Sequence, residues 1–129
     1  MSGEQARRPV VLLLDDEAEF SALIVRSLGQ DFEFEVGATE EEAAMLLGTR
    51  RFDVLLCDHM LPGDKQGLDF LVAALRRQPE AKRLLMTGYM NPELIARSTA
   101  VAQLSDVLLK PVTAAEIRSA LHVALGLGA

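Results

Sequence analysis

The feature that most constrains this chain is an alternation repeated five times: a short apolar run followed by a longer segment with helical spacing. The runs are Val10 to Leu14, Phe32 to Val36, Phe52 to Cys57, Arg83 to Met86 and Asp106 to Leu109. Strands that alternate with helices call for a parallel sheet with helices on both faces, because each crossover between parallel strands needs a helix-sized connection. Four runs are nearly continuous in apolar residues, the pattern of strands covered on both faces. Phe32-Glu33-Phe34-Glu35-Val36 instead alternates with period 2, which predicts an edge strand with one wetter face.

The segments between the runs carry their own start and stop signals. The first places Phe20, Leu23, Ile24 and Leu28 on one stripe and ends at Gly29. Thr39 to Glu42 and Thr113 to Glu116 both match a capping box, marking the starts of the second and fifth helices. The third helix carries Leu68, Leu71, Ala74 and Leu75, and Asn91-Pro92 supplies an N-cap and a first-turn proline for the fourth. The fifth runs through Ile117, Ala120, Leu121 and Ala124. The expected fold is therefore α/β, a (βα)5 doubly wound parallel five-stranded sheet. The flavodoxin-like order 2-1-3-4-5, one of the known orders of doubly wound sheets and taken over from those folds, agrees with a second strand at an edge. A length of 129 residues suits one domain. Residues 1–9 read as a flexible N-terminal lead-in, 10–126 as the domain and 127–129 as a tail.

Composition narrows the function classes. Net charge is −6 and no stretch is densely basic, so this domain lacks the phosphate-neutralising surface that direct nucleic acid contact requires. No apolar run is long enough to span a membrane, and no charged-then-apolar leader is present, so the expected compartment is cytoplasmic. The single cysteine, Cys57, lies inside an apolar run and reads as a small core residue.

In doubly wound sheets ligands bind outside the carboxyl ends of the strands, at the switch point beside strands one and three. Here the first run leads into Asp15-Asp16-Glu17, the third into Asp58, the fourth into Thr87 and the fifth into Lys110-Pro111. Clustered carboxylates about 5 Å apart repel by roughly 3 kcal/mol per pair at an effective dielectric near 20, so the cluster makes sense with a cation. Mg2+ suits few carboxylates, retained waters and phosphate, and no His/Cys set argues for zinc or copper. Lys110 adds a second positive charge and Thr87 a neutral donor. A carboxylate flanked by a metal, a lysine and a hydroxyl has what phosphoryl transfer to aspartate needs, since that chemistry is mostly positioning and neutralisation of oxygen charge.

Carried by Asp15-Asp16, Asp58, Thr87-Gly88 and Lys110-Pro111, the chain over about residues 8 to 126 resembles the receiver domains of two-component response regulators, of chemotaxis-regulator type. The resemblance implies that Asp58 is the phosphoacceptor and that Asp16, Asp58 and the Met60 backbone carbonyl ligate Mg2+, with Asp15 supporting through water. It further implies that Thr87 and Lys110 bind phosphoryl oxygens and that the Lys110-Pro111 peptide is cis. Met60 and Tyr89 then border the path of the hydrolytic water, modulating how long the phosphoryl group lasts. The implied partners are a sensor histidine kinase or a phosphotransfer protein. The implied output surface is helix four, strand five and helix five, with room for a homodimer or for an output domain in a longer parent chain. On this reading the chain is a signalling domain that catalyses only its own phosphoryl transfer and dephosphorylation.

The sequence departs from that family in two places. The switch position three residues before the lysine, usually Phe or Tyr, is Val107, whose stiff short side chain cannot swing in and out. The loop from Asp58 to Gly67 is one residue longer than usual. His59 is expected to face solvent. Three other readings compete: a haloacid-dehalogenase-type phosphatase, which wants Asp-x-Asp after strand one; a degenerate receiver serving as a dimerisation module; and a flavodoxin, whose anionic cofactor Asp-Asp-Glu would repel.

Overall fold

Val10–Leu14 (β1), Glu33–Gly37 (β2), Val54–Asp58 (β3), Lys82–Thr87 (β4) and Asp106–Leu109 (β5) form one parallel sheet in the order β2-β1-β3-β4-β5. The structure is a computed structural model and describes residues 7–89 and 91–127. The helices are α1 (Ala18–Leu28), α2 (Glu40–Leu47), α3 (Gly67–Arg77), α4 (Pro92–Ala102) and α5 (Ala114–Leu125). The expected (βα)5 architecture and strand order are therefore present; β1 and β5 have the expected bounds, and the ends of β2, β3 and β4 are moved by one or two residues.

Side-chain alternation splits the sheet between two cores. Leu12, Leu14, Leu55, Cys57 and Leu85 pack with Ala43, Phe70, Leu71 and Ala74 on the α2 and α3 side. Val11, Leu13, Leu56, Leu84 and Met86 pack with Ile24, Leu28, Ile117 and Leu121 on the α1 and α5 side. β2 lies at an edge, and its Glu33 and Glu35 both hold the Arg50 guanidinium, at 2.7 and 3.0 Å. β5 is the opposite edge, and here the expectation of burial on both faces fails: Leu109 is 51% exposed, and Val107 and Leu108 are half-buried. An apolar run reads alike in a central strand and in an edge strand covered on one side.

Local signals hold with two amendments. Thr113 and Glu116 form a full capping box, whereas Glu42 reaches the Ala38 N–H rather than that of Thr39, so the α2 cap is staggered by one residue. In α1, Leu23 faces outward and Ser21 is buried with Ile24 and Leu28. Of the expected lead-in, residues 1–6 lie outside the described residues. Arg8 and Pro9 are tied to the body through the Gly29 carbonyl and the Glu33 N–H. Of the expected tail, Leu127 donates to the His122 carbonyl, and 128–129 lie outside the described residues.

One buried cation sits within the scaffold. Arg83, at the start of β4, donates to the carbonyls of Ala102 at 2.8 Å and Gln103 at 3.2 Å, and also to that of Ala81. It thereby fastens the C-terminal end of α4 to the sheet. Arg83→Met keeps the length but leaves those carbonyls without a donor, at a cost of about 1–3 kcal/mol. A urea midpoint unchanged from wild type would show that the tether contributes nothing.

Candidate functional site

Parallel pairing brings the strand ends level: Leu14 lies opposite Cys57, Asp58 opposite Met86, and Thr87 opposite Leu109. The residues at the ends of β1, β3, β4 and β5 therefore meet at one edge. Carboxylate oxygens of Asp15, Asp16 and Asp58 lie within 4.8 Å of one another. Asp15 and Asp58 are buried and Asp16 is exposed. Lys110 extends its ammonium into this group, 3.2 Å from Asp15 Oδ2, 3.4 Å from Asp58 Oδ2 and 3.4 Å from Glu17 Oε1. The Lys110-Pro111 peptide is cis.

The electrostatics follow from burial. Desolvation pushes both Asp15 and Asp58 above the ordinary carboxylate value. For Asp58 the nearby Lys110 charge opposes that rise, Asp15 adds to it, and the Met60 N–H donates to the carboxylate. Burial alone would lower Lys110, but Asp58 and Asp15 outweigh it and hold the ammonium more firmly protonated than usual. One ammonium thus meets buried Asp15 and Asp58 and exposed Glu17, with exposed Asp16 grouped beside the two buried acids, an excess of negative charge made of hard oxygen donors. Such a set fits a divalent cation of the Mg2+ or Ca2+ kind.

Thr87 is buried, and its hydroxyl is engaged with the Tyr89 backbone, accepting from the N–H and donating to the carbonyl, both at 3.2 Å. Met60 and Tyr89, each two residues past a strand-end site residue, are 70% and 69% exposed. Val107 pairs with Leu85 in the sheet and is half-buried. The long loop after Asp58 forms a small antiparallel hairpin, Met60–Leu61 with Lys65–Gln66. Gly63 and Asp64 turn it with positive φ of 76° and 59°, and Lys65 ties it to Glu40 at 3.1 Å.

Three features of the site lay outside the sequence reading or against it. His59 is not solvent-facing. It is 7% exposed, its Nδ1 has no partner, and burial pulls its pKa below the ordinary value against the charge of Asp69. It stands just past the end of β3, where its backbone N–H donates to the Met86 carbonyl and its carbonyl accepts from the Gly67 N–H, and the hairpin begins at the next residue. Gly67 was not singled out, yet a Cβ there would stand 2.1 Å from the Asp58 carbonyl oxygen and 2.7 Å from Cys57 Sγ. Its lack of a side chain lets α3 begin directly against β3. Phe20, assigned only to the core, also brings its ring to 5.1 Å from Lys110 Nζ. Cys57 is the buried core thiol expected, with its pKa raised by burial.

Residues 11–122 match the family described as the response regulator receiver domain. The hydrogenase transcriptional regulatory protein HoxA of Cupriavidus necator is 33% identical over 111 residues, which cover 86% of this chain and 22% of that protein. The chain therefore spans about a fifth of the length of that relative. The chemotaxis response regulator CheY4 of Vibrio cholerae shares the fold with a TM-score of 0.83 at 23% identity, covering 92% of this chain and all of that one. A response regulator protein from Burkholderia pseudomallei, solved with a phosphorylated aspartic acid, calcium ion and citrate, has a TM-score of 0.81 at 24% identity, covering 92% of this chain and 69% of that one. No helix among the described residues is long and apolar enough to cross a membrane.

Proposed function

Since the chain belongs to the response regulator receiver domain family, we propose that it accepts a phosphoryl group on Asp58, with Mg2+ bound alongside, and relays that event through α4, β5 and α5. The observation that carries this reading is the company of Asp58. Its buried carboxylate ends the central strand β3, 3.4 Å from Lys110 Nζ and within 4.8 Å of Asp15 and Asp16 oxygens, with Thr87 closing the neighbouring strand.

Each side chain has a part in the transfer. Asp58 attacks phosphorus in its ionised form, the bond from phosphorus to the donor breaks, and the donor leaves with the electron pair. With a histidine kinase or phosphotransfer protein as donor, the leaving atom is an imidazole nitrogen. Asp16, Asp58 and the Met60 carbonyl would hold Mg2+, with Asp15 acting through water. When bound there, Mg2+ would supply positive charge to the phosphoryl oxygens. Lys110 and the Thr87 hydroxyl take the remaining oxygens. To do so, Thr87 gives up its two bonds to the Tyr89 backbone, which loosens the connection leading into α4. Because Val107 cannot act as an aromatic switch, this connection is the route outward. Its endpoint is a homodimer surface or an output domain in a longer parent chain, and the setting is cytoplasmic. The phosphorylated aspartic acid in the Burkholderia pseudomallei relative supports the chemistry.

Mg2+-dependent labelling by acetyl phosphate, followed by intact mass, tests the assignment. One phosphoryl group per chain is expected, and no labelling with saturating Mg2+ and donor would overturn it.

Signal lifetime follows from the residues two past Asp58 and Thr87. Neither Met60 nor Tyr89 can act as a base toward the water that hydrolyses phospho-Asp58, and both are bulky enough to obstruct an in-line approach. Phosphoryl half-lives measured after donor removal should shorten several-fold in Tyr89→Ala and in Met60→Asn. Half-lives equal to wild type in both variants would remove these side chains from the water's path.

A further inference from the structure

The Lys110 ammonium has two kinds of neighbour. Oxygens of Asp15, Glu17 and Asp58 stand between 3.2 and 3.4 Å away. Beneath the ammonium lies the ring of Phe20, its centroid 5.1 Å from Nζ. Phe20 sits in the first turn of α1, half-buried and packed against the core layer that contains Ile24, Ile117 and Leu121. The ring is therefore packed onto the core rather than free on the surface. The lysine stem, by contrast, has four rotatable carbons and would otherwise be fixed only by ion pairs, one of them to an exposed Glu17.

We infer that Phe20 is a positioning residue for phosphoryl transfer: its ring face holds the Lys110 ammonium over the Asp15–Asp58 pair, so that the charge already stands where a phosphoryl oxygen arrives. A cation over an aromatic face is attracted by the ring quadrupole, most strongly where water is excluded. The Lys110 side chain is 19% exposed, so the ammonium meets the ring largely out of water. The attraction matters most once a phosphoryl group occupies Asp58. The ammonium must then leave at least one carboxylate for a phosphoryl oxygen, while the ring contact can persist. An aliphatic side chain of similar size would fill the same core space without attracting the cation. This inference rests on Asp58 as the phosphoacceptor, and it adds α1 to the elements that set the reactivity of the site.

The test compares wild type, Phe20→Tyr and Phe20→Leu by two measurements. One is the rate of labelling by acetyl phosphate at saturating Mg2+. The other is the proton shift and mobility of the Lys110 ε-methylene by NMR in the unphosphorylated protein. The expected result is labelling roughly three- to tenfold slower in Phe20→Leu, with the rate retained in Phe20→Tyr. The upfield ring-current shift of the ε-methylene should be lost in Phe20→Leu alone, along with its restricted motion. Labelling in Phe20→Leu at the wild-type rate overturns the inference, as does an equal fall in both variants that tracks melting temperature. If the wild type itself is not labelled, the phosphoacceptor reading fails, and the ε-methylene shift separately decides whether the ring holds the lysine.

Discussion

Asp58→Asn is expected to abolish phosphoryl labelling by acetyl phosphate or by a kinase while leaving the metal-free fold at least as stable as wild type. The two outcomes have separate causes. Asparagine keeps the shape of the side chain but has no anionic oxygen to attack phosphorus, so labelling should fall below detection rather than merely slow. Stability behaves differently because the Asp58 carboxylate is held in its charged form against burial and against Asp15, with Lys110 as partial compensation. Replacing it with a neutral amide removes a disfavoured buried charge and leaves Lys110 with Asp15 and Glu17. Intact mass after incubation with donor gives the first result and a thermal melt without Mg2+ the second. Labelling equal to wild type would place the acceptor elsewhere. A large fall in melting temperature would mean that the Lys110 pair, rather than desolvation, dominates at Asp58.

Saturating Mg2+ should raise the melting temperature, and the increment should grow with pH. A ligand that binds only the native state at about 100 times its Kd adds about 2.7 kcal/mol. For a domain of this size that corresponds to a rise on the order of 10 °C. The pH dependence follows from proton linkage. Asp15 and Asp58 have native pKa values raised above their unfolded values, so between the two values the native state binds more protons than the unfolded state. Their contribution to stability is fully present below the unfolded value and is lost as pH rises through the raised native values. Above that range the metal-free site carries excess charge, and Mg2+ relieves it while also meeting carboxylates already ionised. His59 works in the opposite sense: its lowered pKa gives stability that is lost as pH falls below its unfolded value. The metal-free profile is therefore a composite, and the difference between melts with and without Mg2+ isolates the carboxylates. Asp16→Asn should shrink that difference. A melting temperature indifferent to Mg2+ at every pH would argue that the three carboxylates do not form a metal site.

Much of this protein is legible in its sequence. Periodicity alone separates strands from helices here, because an apolar run bounded by polar turns and a stripe at helical spacing bury different faces. Their strict alternation leaves few sheets to choose from, and the period-2 pattern of Phe32 to Val36 singled out the edge strand that β2 proves to be. The acids, the threonine and the lysine were readable as one group because each ends a strand, and a parallel sheet brings all those ends to one side.

What the sequence determined by itself was thus which strand-end residues reach the site. Their partners were decided only by the tertiary structure. Lys110 and Asp15 are 95 positions apart, and nothing local predicts that the same ammonium also meets Glu17 and the ring of Phe20. His59 reads as a loop residue by its neighbours but is buried beside the hairpin that the loop after Asp58 builds. Leu109 reads as core but lies on an uncovered edge. Gly67 has no side chain to signal its importance, because its role is the space it leaves for the Asp58 carbonyl and Cys57. In each case the deciding quantity is what packs against the residue from a distant part of the chain. Local spacing encodes the direction of a side chain, whereas burial and pairing depend on what the fold brings to meet it.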